Sequence, residues 1–245
     1  MTTNNNINNT ITNNDFDVKL ATAGTSSTTE VAHSDNTNTG SNAELLVEVA
    51  GTSGGDPNIY FNIPSGSDYS LGIDNTVTDD LVITDSTSPS SGNNFFRLYS
   101  DGNRRLEKTP AFIARRTTVS AAQTGDGTTY TIVTEQTDLD QNDDYNDSTT
   151  FTAPVAGKYF IKISFNTRSW ATQTDSVAQM VTSNQTYNVL YHGNVKTGND
   201  TNIEEATVLT DFDSGDTFTV TVTISGGVKG ITFGGLQTIL GYLVA

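Results

Sequence analysis

In "TFTVTVTI" (217–224) threonines alternate with Phe218, Val220, Val222 and Ile224, so an extended chain would put every large apolar side chain on one face. The pattern recurs along the second half of the chain. "AFIARRTTV", "TYTIVTEQ", "STTFTAP", "GKYFIKISFN", "SVAQMVTS", "TYNVLYHG", "EEATVLTDFD", "DTFTVTVTI" and "FGGLQTILGYLV" follow one another, divided by Gly, Asn or Asp turns. That is close to the number of strands a two-sheet jelly roll needs. From Asp15 to Thr109 the apolar runs are shorter: "VKLAT", "AELLVEVA", "NIYFNI", "YSLGI", "DLVITD" and "FFRLY", broken by "GTSGGDPN", "PSGSD" and "STSPSSGN". No segment holds a helical period over ten residues. The pattern predicts an all-β chain, with a jelly-roll sandwich head over 110–245 preceded by a thin β-rich fibrous module over 15–109. Residues 1–14 form a low-complexity Asn/Thr tract that cannot bury enough surface to fold alone. It is either a disordered tail or an attachment segment that orders on a partner.

Composition sharpens this picture. Hydrophobic residues make up 34% of the 245 and charged residues 16%, so uncharged polar types fill the deficit. The 15–108 region is too poor in apolar residues for a conventional single-chain core. Strands of this kind gain burial when several chains wrap round a common axis, which predicts a homotrimer. The acid excess, 28 Asp and Glu against 12 Lys and Arg, gives a net charge of −16. Such a surface repels phosphate backbones and anionic lipid, which argues against nucleic-acid or membrane partners. No apolar run approaches the ~20 residues of a membrane span. The absence of cysteine excludes disulfide scaffolds, thiol nucleophiles and Cys-ligated zinc. The start, "MTTNNNINNTITNN", lacks the basic and apolar regions of a signal peptide. An extracellular style of composition without an export signal fits release by lysis, and hence a virion surface location.

Two resemblances carry the functional expectation. "AELLVEVAGTSGGDPNIYFNI", "YSLGIDNTVTDDLVITDS" and "NNFFRLYSDGN" resemble a module that recurs in phage and other viral fibre proteins. There a GGDP turn is followed by a GIDNS-type turn and by a DGN turn ahead of the tip domain, and the likeness covers most of residues 40–103. Residues 104–109, "RRLEKT", then read as the joint between shaft and head, with basic residues either paired across a trimer axis or solvated. "FTAPVAGKYFI" (151–161), "DFDSGDTFTVTV" (211–222) and "TFGGLQTILGYLV" (232–244) are similar to the globular head of the complement q subcomponent, of the tumour-necrosis-factor-like jelly-roll superfamily. That likeness spans roughly residues 110–245. It implies that Pro154 ends one strand, that Gly157 lets the chain turn, and that Tyr159 to Phe165 form a buried strand near a trimer axis.

Together the resemblances imply a virion structural protein: a trimeric fibre or spike for display and host adhesion, whether tail fibre, head fibre or capsid decoration. Its N-terminal segment would meet a capsid or tail protein, and its head a host surface protein or glycan. A cement protein stabilising the capsid or tail is the alternative, and a carbohydrate-cleaving fibre the remote one.

Candidate chemistry is sparse. His33 and His192 are the only histidines, and no nucleophile elbow, zinc-binding helix motif or phosphate-binding loop accompanies them. No paired catalytic carboxylates stand out, so the chain is not expected to be an enzyme. In "DLDQNDDYND", Asp138, Asp140, Asn142, Asp143 and Asp144 offer hard oxygen ligands at the short spacing that suits calcium, although the central Gly and final Glu of an EF-hand are absent. A solvated acidic loop is the plainer reading. Trp170, the only tryptophan, sits among polar residues, where it either packs over the barrel end or stacks on a sugar or protein partner.

Overall fold

The computed structural model describes residues 32, 42–43, 45–51, 53–76, 78–91, 93–146, 148–193, 201–235 and 237–244. The chain divides into two compact units, 1–50 and 51–245. The attachment tract 1–14, the expected strand "VKLAT" and His33 lie outside the described residues. In the first unit, "AELLVEVA" forms no strand over its described residues 45–50, and Leu45, Leu46 and Val47 are exposed.

The second unit begins with an antiparallel five-stranded meander: β1 (Asn58–Asn62), β2 (Asp68–Asp74), β3 (Asp80–Thr84), β4 (Asn94–Leu98) and β5 (Arg104–Arg105). "RRLEKT" is therefore a fifth strand at its start, because Leu98 and Arg97 pair with Arg104 and Arg105. The faces of this sheet are inverted relative to an ordinary sandwich. The register aligns Ile59, Leu71, Ile83 and Phe96 in one row, and Ile73, Leu81 and Leu98 in the next. These side chains are half-buried or exposed. The opposite face carries Ser70, Gly72, Asp74, Asp80, Val82 and Thr84, all buried.

Its own turns cover that polar face. Asp56 accepts from the Asn75 and Ser90 amides and the Ser88 hydroxyl. Burial would raise its pKa, but these hydrogen bonds outweigh it and hold the carboxyl below its ordinary value. Asn75 donates back to the carbonyls of Gly51, Gly54 and Gly55. Arg97 donates to Asp80 at 2.8 Å and to Asp74 at 3.1 Å, tying three strands together. Gly72 is required where it stands, since a Cβ there would lie 2.3 Å from the Pro57 carbonyl oxygen. The GGDP and GIDN motifs are thus two halves of one hydrogen-bonded lid.

The rest of the unit is a jelly-roll sandwich of two antiparallel sheets. Its strands are β6 (Ala111–Arg115), β7 (Ser120–Thr124), β8 (Thr129–Thr131), β9 (Gln136–Asp140), β10 (Phe151–Thr152), β11 (Gly157–Arg168), β12 (Asp175–Thr182), β13 (Thr186–His192), β14 (Asn202–Phe212), β15 (Thr217–Ser225), β16 (Ile231–Phe233) and β17 (Thr238–Leu243). One sheet runs β10-β15-β12-β13, with β8 also on β15. The other runs β7-β16-β11-β17-β6-β9, with β14 on the free side of β11. Three strands were not legible in the sequence, the short β16 among them. β7 is built from small residues, and β9 converts the start of the acidic stretch from loop into a strand paired with β6. The strands of the small sheet do not pair with those of these two sheets, and all three lie within the compact unit 51–245.

The core lies between the two sheets. Tyr159, Ile161, Ile163 and Phe165 of β11 face it, with Phe218, Val220, Val222 and Ile224 of β15, all at most 1% exposed. Phe151 is its aromatic hub, with ring centroids 5.0 Å from Phe112, 5.5 Å from Tyr159 and Phe218, and 6.3 Å from Phe212. Gly241 admits this packing, because a Cβ there would come within 2.7 Å of both Ile161 and Phe112. Phe151→Ala should lower unfolding free energy by about 3–5 kcal/mol, read from urea denaturation, because removing a rigid ring from among four aromatic neighbours leaves a cavity that cannot collapse.

Candidate interaction face

The outer face of the larger sheet is the surface the core does not use. Antiparallel pairing sets Leu209, Phe160, Tyr242 and Ala111 in one row across β14, β11, β17 and β6. The next row is Thr207, Lys162, Leu240, Ile113 and, on β9, Leu139. Phe160 and Tyr242 pack with ring centroids 5.4 Å apart. Leu209, Tyr242 and Leu139 are 61%, 45% and 43% exposed, so this is an apolar stripe open to solvent across five strands. The strands that build it carry apolar residues at both parities, "KYFIKI" and "TILGYL". That is the mark of a strand covered on both sides, and it was the sequence signal for this face.

A notch of about 180 Å³ opens within the stripe, lined by Lys162, Ser164, Glu205, Thr238 and Leu240. Lys162 Nζ lies 3.1 Å from Glu205 Oε1, and Lys158 Nζ lies 3.3 Å from Asp211 at the margin. Both pairs are well exposed and contribute little to the stability of one chain. Their effect is to set charge at defined points on an otherwise apolar surface.

The acidic stretch does not act as one cluster. Asp138 pairs with Arg115 across β9 and β6, with Nε 2.6 Å from Oδ2. Asp140 accepts from the amides of Asp144 and Tyr145, both at 2.9 Å, and so closes the turn that follows β9. Asp143 occupies that turn with φ of 59°. Asn142 donates to the Lys108 carbonyl, and its Oδ1 is buried without a partner. Burial pushes the Asp144 pKa up, with Asp140 and Asp143 adding to the shift. Asp143, Asp144 and the Asn142 oxygen are what this arrangement leaves for an ion, short of the six to eight oxygens calcium takes. Among the described residues no three His, Cys, Asp or Glu side chains are grouped to hold a metal.

Trp170 is 3% exposed and belongs to the core, with its indole N–H donating to Thr167 Oγ1 at 3.0 Å. Its ring packs inside the sandwich and offers no free face for stacking. His192 Nε2 lies 2.6 Å from Glu204 Oε2, joining β13 to β14, and burial raises the Glu204 pKa against the pull of that histidine. Arg116, also 3% exposed, was missed by the sequence reading. It donates to the carbonyls of Thr118 and Val133, to Tyr130 Oη and to Ser120 Oγ, and it lies 3.5 Å from Glu135. Burial disfavours the Glu135 carboxylate, but the Thr118 hydroxyl, the Thr117 and Thr118 amides and Arg116 together lower its pKa to about 2.

No protein-family model matches the chain, and no curated protein sequence does. Among solved structures, the globular domain of zebrafish complement 1qA is similar at 17% identity and a TM-score of 0.41, covering 56% of this chain and 98% of that one. Eiger TNF from S. frugiperda is similar at 9% identity and a TM-score of 0.39, covering 56% and 93%. Murine APRIL at pH 5.0 shows 9% identity and a TM-score of 0.37, covering 54% and 98%. The chain's own sheets and registers define its class: an all-β protein with a jelly-roll sandwich and an open apolar sheet face.

Glu135 and Asp144 are shifted in opposite directions. Glu135 has a folded pKa below its ordinary 4.5, so its stabilisation is present above 4.5 and is lost as pH falls towards about 2. Denaturation between pH 2 and 5 should show Glu135→Gln losing part of that acid dependence. Asp144 has a folded pKa above 3.8, so its ionisation opposes folding as pH rises through that window. Asp144→Asn should be more stable than the parent at pH 7, with the gain vanishing in acid.

Proposed function

We propose that this chain is a homotrimeric virion surface protein, a fibre or spike whose jelly-roll head is displayed for adhesion to a host surface protein or glycan. The observation that carries the reading is the apolar stripe on the outer face of the larger sheet. A solvated monomer has no use for Phe160, Leu209, Leu240 and Tyr242 side by side on a sheet exterior, whereas three copies packed round an axis bury them. The sequence resemblance of 110–245 to the complement q head supports the same arrangement, and that of 40–103 to viral fibre modules supports a place on a particle. Adhesion would then proceed by several weak contacts from linked identical heads. The acidic surface keeps such an assembly soluble: three copies carry three times the −16 of one chain. The protein is read as a non-enzymatic display element.

Capsid or tail attachment is assigned to the N-terminal segment. A cement protein with no receptor role is the second reading, and electron microscopy of the particle separates the two. A free, outward-pointing head supports adhesion, and a head covered by neighbouring subunits supports cement.

Light scattering at micromolar concentration should give three times the 26.2 kDa of one chain. Phe160→Asp combined with Tyr242→Asp should give single chains with an unchanged far-UV spectrum. A monomeric parent, or a double variant that stays trimeric, would refute the assignment of this face.

A further inference from the structure

The small sheet poses a problem that its own chain does not solve. Its buried face is the polar one, already closed by Asp56, Asn75 and Arg97. Its two apolar rows lie on the other side, where Ile83 and Ile59 are each 39% exposed and Phe61, beside Tyr69, is 57% exposed. We infer that this apolar face is a second self-association surface, closed by the same sheet of further copies of this chain. The inference rests on the trimer reading above and adds a distinct surface to it.

Two features favour a second copy over any other occupant. The first is size. Four strands about 4.8 Å apart, with outward side chains about 7 Å apart along each, make a face on the order of 300 Å². A free-standing interface uses roughly 800 Å² per partner, so a separate protein would not be held here. A copy already linked through the head needs much less, because tethering raises its effective concentration to about the millimolar range.

The second is charge. In a chain of net charge −16, neither apolar row contains an acid. Asp74 and Asp80 point to the opposite face, where both pair with Arg97. The only charge in register with a row is Arg104, beyond Leu98 at the β5 edge. Copies of an otherwise repulsive chain can therefore meet along these two rows without opposing carboxylates.

The absence of cysteine permits a direct test on the full chain. Ile83→Cys places a single thiol on the apolar face. Ser90→Cys places one at an exposed position in the loop that covers the polar face. Each variant is treated with mild oxidant or a short bismaleimide, and light scattering is recorded on the same sample. Interchain-linked species from Ile83→Cys, with Ser90→Cys remaining as single chains on a denaturing gel, is the expected result. Phe61→Cys, on the same face near the β1 edge, should also link and replaces Ile83→Cys if that variant misfolds. A trimeric mass with no linkage from either thiol would overturn this surface while leaving the head assembly standing. Thiols blocked by the chain's own N-terminal segment or by another protein would give that result. A monomeric mass would overturn the trimer reading itself.

Discussion

A β-sheet has two faces, and a single sandwich layer covers one of them. This constraint organises the whole of residues 51–245. In the head, the aromatic hub at Phe151 draws the two sheets together and fixes which parity of β11 points inward: Tyr159, Ile161, Ile163 and Phe165. Once that choice is made, Phe160 and Lys162 must point outward, and with them Leu209, Leu240 and Tyr242 on the strands paired to β11. The apolar stripe is thus a geometric consequence of the core together with strands that are apolar on both sides.

The small sheet meets the same constraint differently. It has too few apolar residues to build a core, so it closes one face with hydrogen bonds and an ion-pair network. Arg97 sits between Asp74 and Asp80 with its side chain 13% exposed and theirs almost fully buried. A buried charge group of this kind is weak evidence for stability but defines one geometry well, since removing any member strands the others. The turns gain rigidity from the same bonds. That explains how a meander of short strands and Gly- and Ser-rich loops holds its shape without an apolar interior.

The polar groups of the head are placed to the same end. Arg116 is surrounded by carbonyls, hydroxyls and one carboxylate, so the end of the barrel is closed by a satisfied cation. Trp170 fills space nearby in the sequence that a polar connection alone would leave open, and Thr167 satisfies its one donor. Both groups are buried and hydrogen-bonded within the head, and complete its packing.

Alternation in "TFTVTVTI" determined by itself that this segment is a strand and which side chains face the core, because the period of two leaves no other arrangement, whereas "GKYFIKISFN", apolar at both parities, was legible as a strand but not in its choice of inner face. The turn motifs GGDP, GIDN and DGN likewise announced a hairpin-rich segment ahead of the head. Strand β7 was not legible, since Ser and Ala carry little strand signal, and β9 was hidden by its acids, whose pairing depends on Arg115 reaching Asp138 from a neighbouring strand. Trp170 shows the same limit: its polar neighbours in sequence suggest exposure, and only the folding of β11 and the following loop places it in the core. Which acids stand together, which are paired away, and which apolar faces stay open depend on partners distant along the chain. Local pattern determines a strand and its faces, whereas tertiary contact decides what each face meets.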